Sequence, residues 1–358
     1  MKRRLITLAL AVLLCLELSL PALADASSFL SHRFSASYSD ISAGHWSADG
    51  VERAATLGIF QGIGNGQFGR GQPITRAAFV TAMVRLFGWK ETLPERDSFS
   101  DVTADRWFYR YVETAKAHGA IAVSDHAFRP TDDITREDMA AMLVRGLGYT
   151  SLAGVASGYE SPFSDITSNK GFIIVAHDLG IVDGVGEDRF DPTGTATREQ
   201  AAVMMVRVHD LLNARSTHIT SLNGRQAVSV PTPETKPGEE LPTTPLEPLT
   251  DLYDLLRRMK LSGADMGQAV LRLAEGGVRT VIANGTVVSR DTLNAQEVAE
   301  LLGRPGVNEY YSTRYESAYC IYQPNEGQTA AVWYQSAQSL SAKLQLARLF
   351  GVTQYILE

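Results

Sequence analysis

The chain is poor in the features that mark several large classes of protein. It has two cysteines in 358 residues, Cys15 and Cys320. Cys15 lies in an N-terminal apolar stretch expected to be removed, so Cys320 is left without an internal disulfide partner. The fold must rest on packing alone. Beyond that stretch no apolar run reaches the roughly 20 residues needed to cross a membrane. Basic residues are not in excess: 33 Lys and Arg against 40 Asp and Glu give a formal charge of −7, which argues against nucleic-acid binding. The seven histidines are scattered without metal-ligand spacing, and there is no Gly-x-Ser-x-Gly elbow and no phosphate loop. Asp183, Glu187, Asp188 and Asp191 crowd one loop but lack the twelve-residue calcium pattern. No metal site, cofactor or nucleic-acid partner is therefore expected.

The first residues, MKRRLITLALAVLLCLELSLPALA, place Lys2, Arg3 and Arg4 before an apolar run that ends on small residues. The pattern predicts a secretory signal over residues 1–24, cleaved after Ala24, with no membrane attachment afterwards. Cleavage would take away those three cations and Glu17, leaving a formal charge of −9.

Between Tyr38 and Leu212 the chain repeats three times. Each unit opens on an aromatic-Ser-Asp phrase, ending at Asp40, Asp101 and Asp165. Trp46 and Trp107 follow six residues after the first two aspartates; the third unit has no counterpart. Later come Phe68, Phe128 and Phe190, and then the phrases Thr75-Arg76, Thr135-Arg136 and Thr197-Arg198, spaced by 60 and 62 residues. The threonines predict helix N-caps, and Gln200 completes a capping box with Thr197. Apolar residues recur behind the caps at helical spacing. Each unit reads as helix, loop, helix.

Arg76, Arg136 and Arg198 pose a problem. A cation one residue after a cap meets the positive end of the helix dipole, at a cost of about 0.3–1 kcal/mol. Two answers stay open at this level. The compensating charge is a structural carboxylate, Asp40, Asp101 or Asp165 from the same or a neighbouring unit, or it is an external anion held by the guanidinium and free helix-start N–H groups.

These phrases, in this order and three times over, resemble the S-layer homology module. The resemblance covers residues 36–213 and implies a mainly α fold, a pseudo-threefold spindle of helices whose inter-repeat grooves bind the secondary cell-wall polymer, a peptidoglycan-linked glycan with pyruvylated sugars. It implies Arg76, Arg136 and Arg198 as anion contacts, Trp46 and Trp107 as groove-wall residues, and Asp40, Asp101 and Asp165 as structural. The family's Thr-Arg-Ala-Glu phrase is altered in copies one and two, and the entry to the first helix is about three residues shorter in copy three. Two competent grooves and one altered groove are expected.

The repeats are placed at residues 36–92, 97–152 and 161–213, followed by a linker over 214–250 with prolines at 231, 233, 237, 242, 245 and 248. Such a segment favours extended backbone and reads as a semi-rigid spacer. Residues 251–358 alternate helix and strand patterns and predict a smaller α/β domain: helices at DLYDLLRRMKL, MGQAVLRLA, NAQEVAELLG and SLSAKLQLARLFG, strands at VRTVIANG, SAYCIY, TAAVWY and VTQYIL. Its last part, residues 292–358, resembles the closing strands and helix of glycoside hydrolase family 18, in a chain too short here for the whole barrel. The resemblance implies a reduced barrel piece. The family's Asp-x-x-Asp-x-Asp-x-Glu motif is absent from this chain, and catalysis is not expected of it. The whole then reads as a secreted surface protein anchored non-covalently to the wall and displaying a non-catalytic domain on a stalk. The alternatives are a wall-bound glycan binder or family 18-type hydrolase, and a self-associating surface-lattice protein.

Overall fold

The computed structural model describes residues 38–122, 126–214, 218–219, 226–229 and 247–358; the expected signal segment and most of the proline-rich segment lie outside them. Each repeat supplies a short first helix, α1 (Ala48–Thr56), α3 (Tyr109–Ala117) or α6 (Lys170–Asp178). A second helix follows in each: α2 (Arg76–Phe87), α4 (Arg136–Gly146) and α7 (Arg198–Leu212). The second helices begin where the threonines cap them. Thr75, Thr135 and Thr197 accept from the backbone N–H of Ala78, Asp138 and Gln200 at 3.2–3.4 Å, and Gln200 returns the bond to the Thr197 N–H at 3.0 Å. Their inner faces, with Phe79, Met83, Met139, Leu143, Met205 and Val208, are buried without exception.

A closed ring of backbone hydrogen bonds sits where the three repeats meet. Ile74 N–H donates to Ala196 C=O (3.1 Å), Ala196 N–H to Ile134 C=O (3.0 Å) and Ile134 N–H to Ile74 C=O (3.0 Å). All three residues are buried. The pseudo-threefold axis therefore joins the last repeat to the first. Inside each repeat the opening aspartate folds the loop back: Asp40 accepts from the N–H groups of Phe68, Gly69 and Arg70, Asp101 from Phe128 and Arg129, and Asp165 from Phe190 and Asp191, all at 2.7–2.8 Å.

The third repeat differs. A helix the sequence pattern did not suggest, α5 (Thr150–Ala156), packs across α6. The approach is so close that a Cβ on Gly171 would lie 1.8 Å from the Ala153 carbonyl oxygen, so glycine is obligatory there.

The C-terminal part is α/β, as expected. Helix α8 (Leu249–Leu261) precedes β3 (Val270–Leu273), β4 (Gly277–Ala283) and β5 (Thr286–Leu293). Then come α9 (Ala295–Leu302), β6 (Asn308–Ser312), β7 (Ser317–Tyr322), β8 (Gln328–Tyr334), α10 (Ala337–Leu349) and β9 (Gln354–Leu357). Strands β5-β4-β8-β7-β6 form an antiparallel sheet. The β4–β5 hairpin turns on Asn284 and Gly285, both at positive φ, as a tight hairpin requires. Residues 266–274 were expected to be a helix; their apolar end is instead β3, a parallel strand with three of its four residues buried between two neighbours. A short apolar run does not distinguish a central strand from a helix.

Two further strands fall within the segment read as a spacer. β1 (His218–Ile219) pairs with β9 and β2 (Ala227–Ser229) with β3, giving a second, parallel sheet in the order β1-β9-β3-β2. Its outer strands are two and three residues long, and among the described residues no barrel closes. Cys320 lies at zero exposure inside the antiparallel sheet, where burial and then Glu309 push its thiol up to about 11. The thiol is therefore covered within the folded chain.

One hydrophobic core runs through the repeats and into Leu252, Tyr253, Leu256, Leu346 and Phe350. At the end of α6, buried Asp178 accepts from Tyr253 OH (2.7 Å) and Arg257 Nε (2.8 Å), while Lys260 Nζ bonds its backbone oxygen. Tyr159 adds a bond to Asp254 (3.0 Å). Cations at a helix C-terminus are favourable in themselves, and they close the joint. A second buried pair, Lys343 with Glu247 (3.1 Å), ties α10 to the chain entering α8.

Asp178→Ala strips the acceptor from Arg257 and Tyr253 and should lower stability by about 3 kcal/mol, with a single urea transition splitting in two as the halves lose their coupling. Acid should act on the aspartate loops. Burial raises the Asp40 carboxyl, but the N–H groups of Arg70, Phe68 and Gly69 outweigh it and hold it below the usual range; for Asp165 the Phe190 N–H leads the lowering. A depressed folded pKa contributes stability that is present above the unfolded value near 4 and is lost as pH falls through the folded one. Melting temperature should therefore drop steeply below about pH 4, and less steeply in an Asp40→Asn/Asp165→Asn variant.

Candidate functional site

The three helix-start arginines all point into the neighbouring repeat. Arg76 Nε donates to Phe128 C=O (3.0 Å), Arg136 Nε to Phe190 C=O (2.8 Å) and Arg198 Nε to Phe68 C=O (2.9 Å). Each guanidinium also lies over the ring of the same phenylalanine, at 5.1, 4.7 and 5.2 Å from its centroid. Arg136 and Arg198 add a second carbonyl, Asp183 O (3.0 Å) and Gln61 O (2.9 Å). The phenylalanine is thus held from two sides: its N–H by its own repeat's aspartate, its C=O and ring by the preceding repeat's arginine.

The helix-start N–H groups are not free for an outside ligand. Arg76 and Ala77 donate to Asp132 O and Pro130 O, Arg136 and Glu137 to Gly194 O and Pro192 O, and Arg198 to Gln72 O, at 2.9–3.1 Å. This alters the expected picture of an anion bound by arginine and helix dipole together, because loop carbonyls of the next repeat already satisfy both. Asp40, Asp101 and Asp165 turn to backbone N–H groups and not to the arginines, apart from Asp165 with Arg189 at 3.7 Å. Burial lowers the pKa of Arg136, with Asp191, Asp165 and Asp183 opposing it, and that of Arg198, with Tyr38, Glu199 and Asp40 opposing it.

The groove at Arg136 is built from four parts: an arginine of one repeat, a loop and second helix of the next, and the residue two before the first helix of the one after. For Arg136 these parts meet in an open groove of about 390 Å³, lined by Trp46, Arg136, Val182–Val185, Gln200, Val203, Met204 and Arg207. Trp46 and Trp107 each stand 61% exposed, large apolar faces offered to water. In the Arg76 groove the tryptophan position is Ser168, two residues before α6. There Asp138 is ion-paired with Arg76 and Ser168 bonds Glu137. At the position of Asp138 the other second helices carry Ala78 and Gln200.

The structure therefore brings Arg136 and Trp46 together in one cavity, and gives Trp107 the same exposure. It also places Asp183, Gln200 and Arg207 in that cavity, residues the sequence reading had not assigned to a site. Their signal was a second register: Gln200, Val203, Met204 and Arg207 share one helix face. Among the described residues no cluster of three or more potential metal ligands occurs.

Residues 37–80, 98–140 and 162–202 match the family profile of the S-layer homology domain. An amylopullulanase of Thermoanaerobacterium thermosulfurigenes is 30% identical over 183 residues, 50% of this chain and 10% of that protein. An S-layer protein of Bacillus thuringiensis subsp. finitimus is 24% identical over 201 residues, 56% of this chain and 24% of its own length. The chain thus spans a quarter or less of these relatives. Among solved structures, the Bacillus cereus spore cortex-lytic enzyme SleL is similar at 14% identity over 34% of this chain and 28% of that one, with a TM-score of 0.29. A chitinase-like agglutinin of Robinia pseudoacacia is similar at 18% identity over 32% and 36%, with a TM-score of 0.27. Scores this low leave the C-terminal fold to be described by its own topology.

Because each arginine bonds a carbonyl and a ring of the next repeat, Arg136→Ala or Arg198→Ala should cost about 2 kcal/mol of stability, read as a lower urea midpoint with an unchanged slope. Arg198→Ala should do so by opening the joint between the last repeat and the first, visible as faster amide exchange at Phe68 and Gly69.

Proposed function

Three S-layer homology domains make up the helical half of this chain, and from that premise we propose that it is a wall-anchored cell-surface protein held non-covalently by an acidic secondary wall polymer in its inter-repeat grooves. The observation that carries the reading is the open groove in which an exposed tryptophan face and two arginines, Arg136 and Arg207, meet. An aromatic plane suits the apolar face of a sugar ring, and guanidinium suits a carboxylate. A pyruvylated sugar offers both. Tandem grooves on one body raise avidity when more than one engages the same polymer. Trp107 is assigned the same wall role in the Arg198 groove, whereas the Arg76 groove, with Asp138 on its arginine and no tryptophan, is the altered one.

A second reading concerns the C-terminal domain. Tyr310, 46% exposed, stacks on Tyr319 at 5.2 Å, which in turn packs on the buried Trp333 at 4.7 Å, so that one exposed ring is backed by two others and suits the apolar face of a sugar.

The decisive experiment sediments the full chain with purified bacterial wall before and after chemical removal of the secondary polymer. Binding that disappears with the polymer supports the anchor reading. Equal binding to stripped peptidoglycan would move the activity to the C-terminal domain, and ordered sheets formed without wall would favour a lattice protein.

A further inference from the structure

The second helices carry another arginine in register, ten residues after each cap: Arg85, Arg145 and Arg207. Two of them are spent on packing. Arg85 lies over the Tyr111 ring at 5.8 Å and Arg145 over the Phe172 ring at 4.2 Å. Tyr111 and Phe172 each occupy the third residue of a first helix, α3 and α6.

The third residue of α1 is Gly50. A Cβ there would lie 2.6 Å from Val203 Cγ2 on α7, so no ring fits, and none is printed by the sequence. Arg207 consequently has no aromatic counterpart to lie on. Its guanidinium reaches the mouth of the Arg136 groove, where NH1 touches Ile181 O at 3.3 Å and NH2 pairs with Asp183 at 2.7 Å. Both side chains are solvent-accessible, 38% and 70% exposed. Such a pair is held by roughly 0.2–1 kcal/mol, weak enough for an incoming carboxylate to share the cation. Beside it, the Gln200 Oε1 is committed to the Thr197 N–H, which leaves the amide N–H groups as the donors of that side chain. Two turns of one helix therefore present an amide and a cation opposite Trp46.

We propose that Arg207 is a specificity-determining anion contact, and that the groove of Arg136, Arg207, Gln200 and Trp46 is the tight site of the three, selective for a sugar that carries a carboxylate. The inference rests on the wall-polymer reading but goes beyond it, because threefold symmetry alone would make the grooves equal. Asp138 and Ser168 already set the Arg76 groove apart; Gly50 sets the Arg136 groove apart from the Arg198 groove. It removes the ring that immobilises the other two arginines, and it does so only where the neighbouring groove keeps its tryptophan and lacks an internal acid on its helix-start arginine.

The test measures half-saturation of the full chain on purified wall at low and moderate salt. It also uses competition by a methyl hexosaminide bearing a 4,6-linked pyruvate acetal, with the methyl ester of that acetal as the uncharged control. Arg207→Ala should weaken wall binding at least tenfold at low salt and flatten its salt dependence, with Arg207→Lys recovering part of the loss. The acid should compete and the ester should not. Arg85→Ala, which removes the in-register arginine of the first repeat, should bind as wild type. Unchanged binding by a folded Arg207→Ala chain, or an equal loss in Arg85→Ala, overturns the assignment of Arg207 while the anchor reading stands. Competition by acid and ester alike, or by neither, overturns the carboxylate class. A wild-type chain that binds no wall bearing the polymer overturns both.

Discussion

The helical half depends on one closed circuit: three backbone hydrogen bonds through Ile74, Ile134 and Ala196, each donated to the repeat that precedes it around the axis. A buried backbone N–H or C=O left unpaired costs about 1–3 kcal/mol, so each repeat needs the other two. The last repeat must also return to the first. Local stability in this unit is accordingly a property of the ring and not of any one helix pair, in contrast to open solenoids where a repeat meets only its neighbours.

The same logic explains the arginine that begins each second helix. A cation there opposes the helix dipole by up to about 1 kcal/mol, a disadvantage outweighed by a hydrogen bond from Nε to a phenylalanine carbonyl and by stacking on the ring, the latter worth about 0.5–2 kcal/mol. Aspartate, phenylalanine and arginine form one recurring joint, in which the aspartate shapes the loop and the arginine of the previous repeat pins it. The position is thus structural before it is anything else. A ligand in the groove meets a guanidinium already fixed by its neighbour, which reduces the ordering that binding would require.

Much of this was legible in the sequence and part was not, for identifiable reasons. The cap threonines, the capping-box Gln200 and the apolar stripes are local signals, and they mark α2, α4 and α7. The helices α8, α9 and α10 and the strands β4, β7, β8 and β9 followed from periodicity in the same way. What failed was whatever depends on a neighbour distant in the chain. The carbonyls that accept from Arg76, Arg136 and Arg198 lie 52–130 residues away, so spacing alone left a carboxylate and an external anion as the visible options. Strand β3 looked helical because Val270, Leu271 and Leu273 are apolar for the sake of strands on both sides. Asp178 carried no signal at all: an acidic residue at a helix end reads as solvated surface, and only the fold shows Tyr253, Arg257 and Lys260 converging on it.

That joint changes what the proline-rich stretch can imply about the assembled protein. The apolar contacts of Tyr253 and Phe350 with the repeat core supply attraction without much direction, since hydrophobic surfaces tolerate sliding. Asp178 is different in kind. A buried carboxylate is stabilised only when its donors arrive together, and such groups contribute little net stability compared with an apolar substitute. In this protein its effect is to select one orientation, in which Tyr253, Arg257 and Lys260 of α8 meet the end of α6. The C-terminal sheet is therefore carried at a fixed angle to the grooves. The two halves are thus joined by a directional contact and not by apolar burial alone.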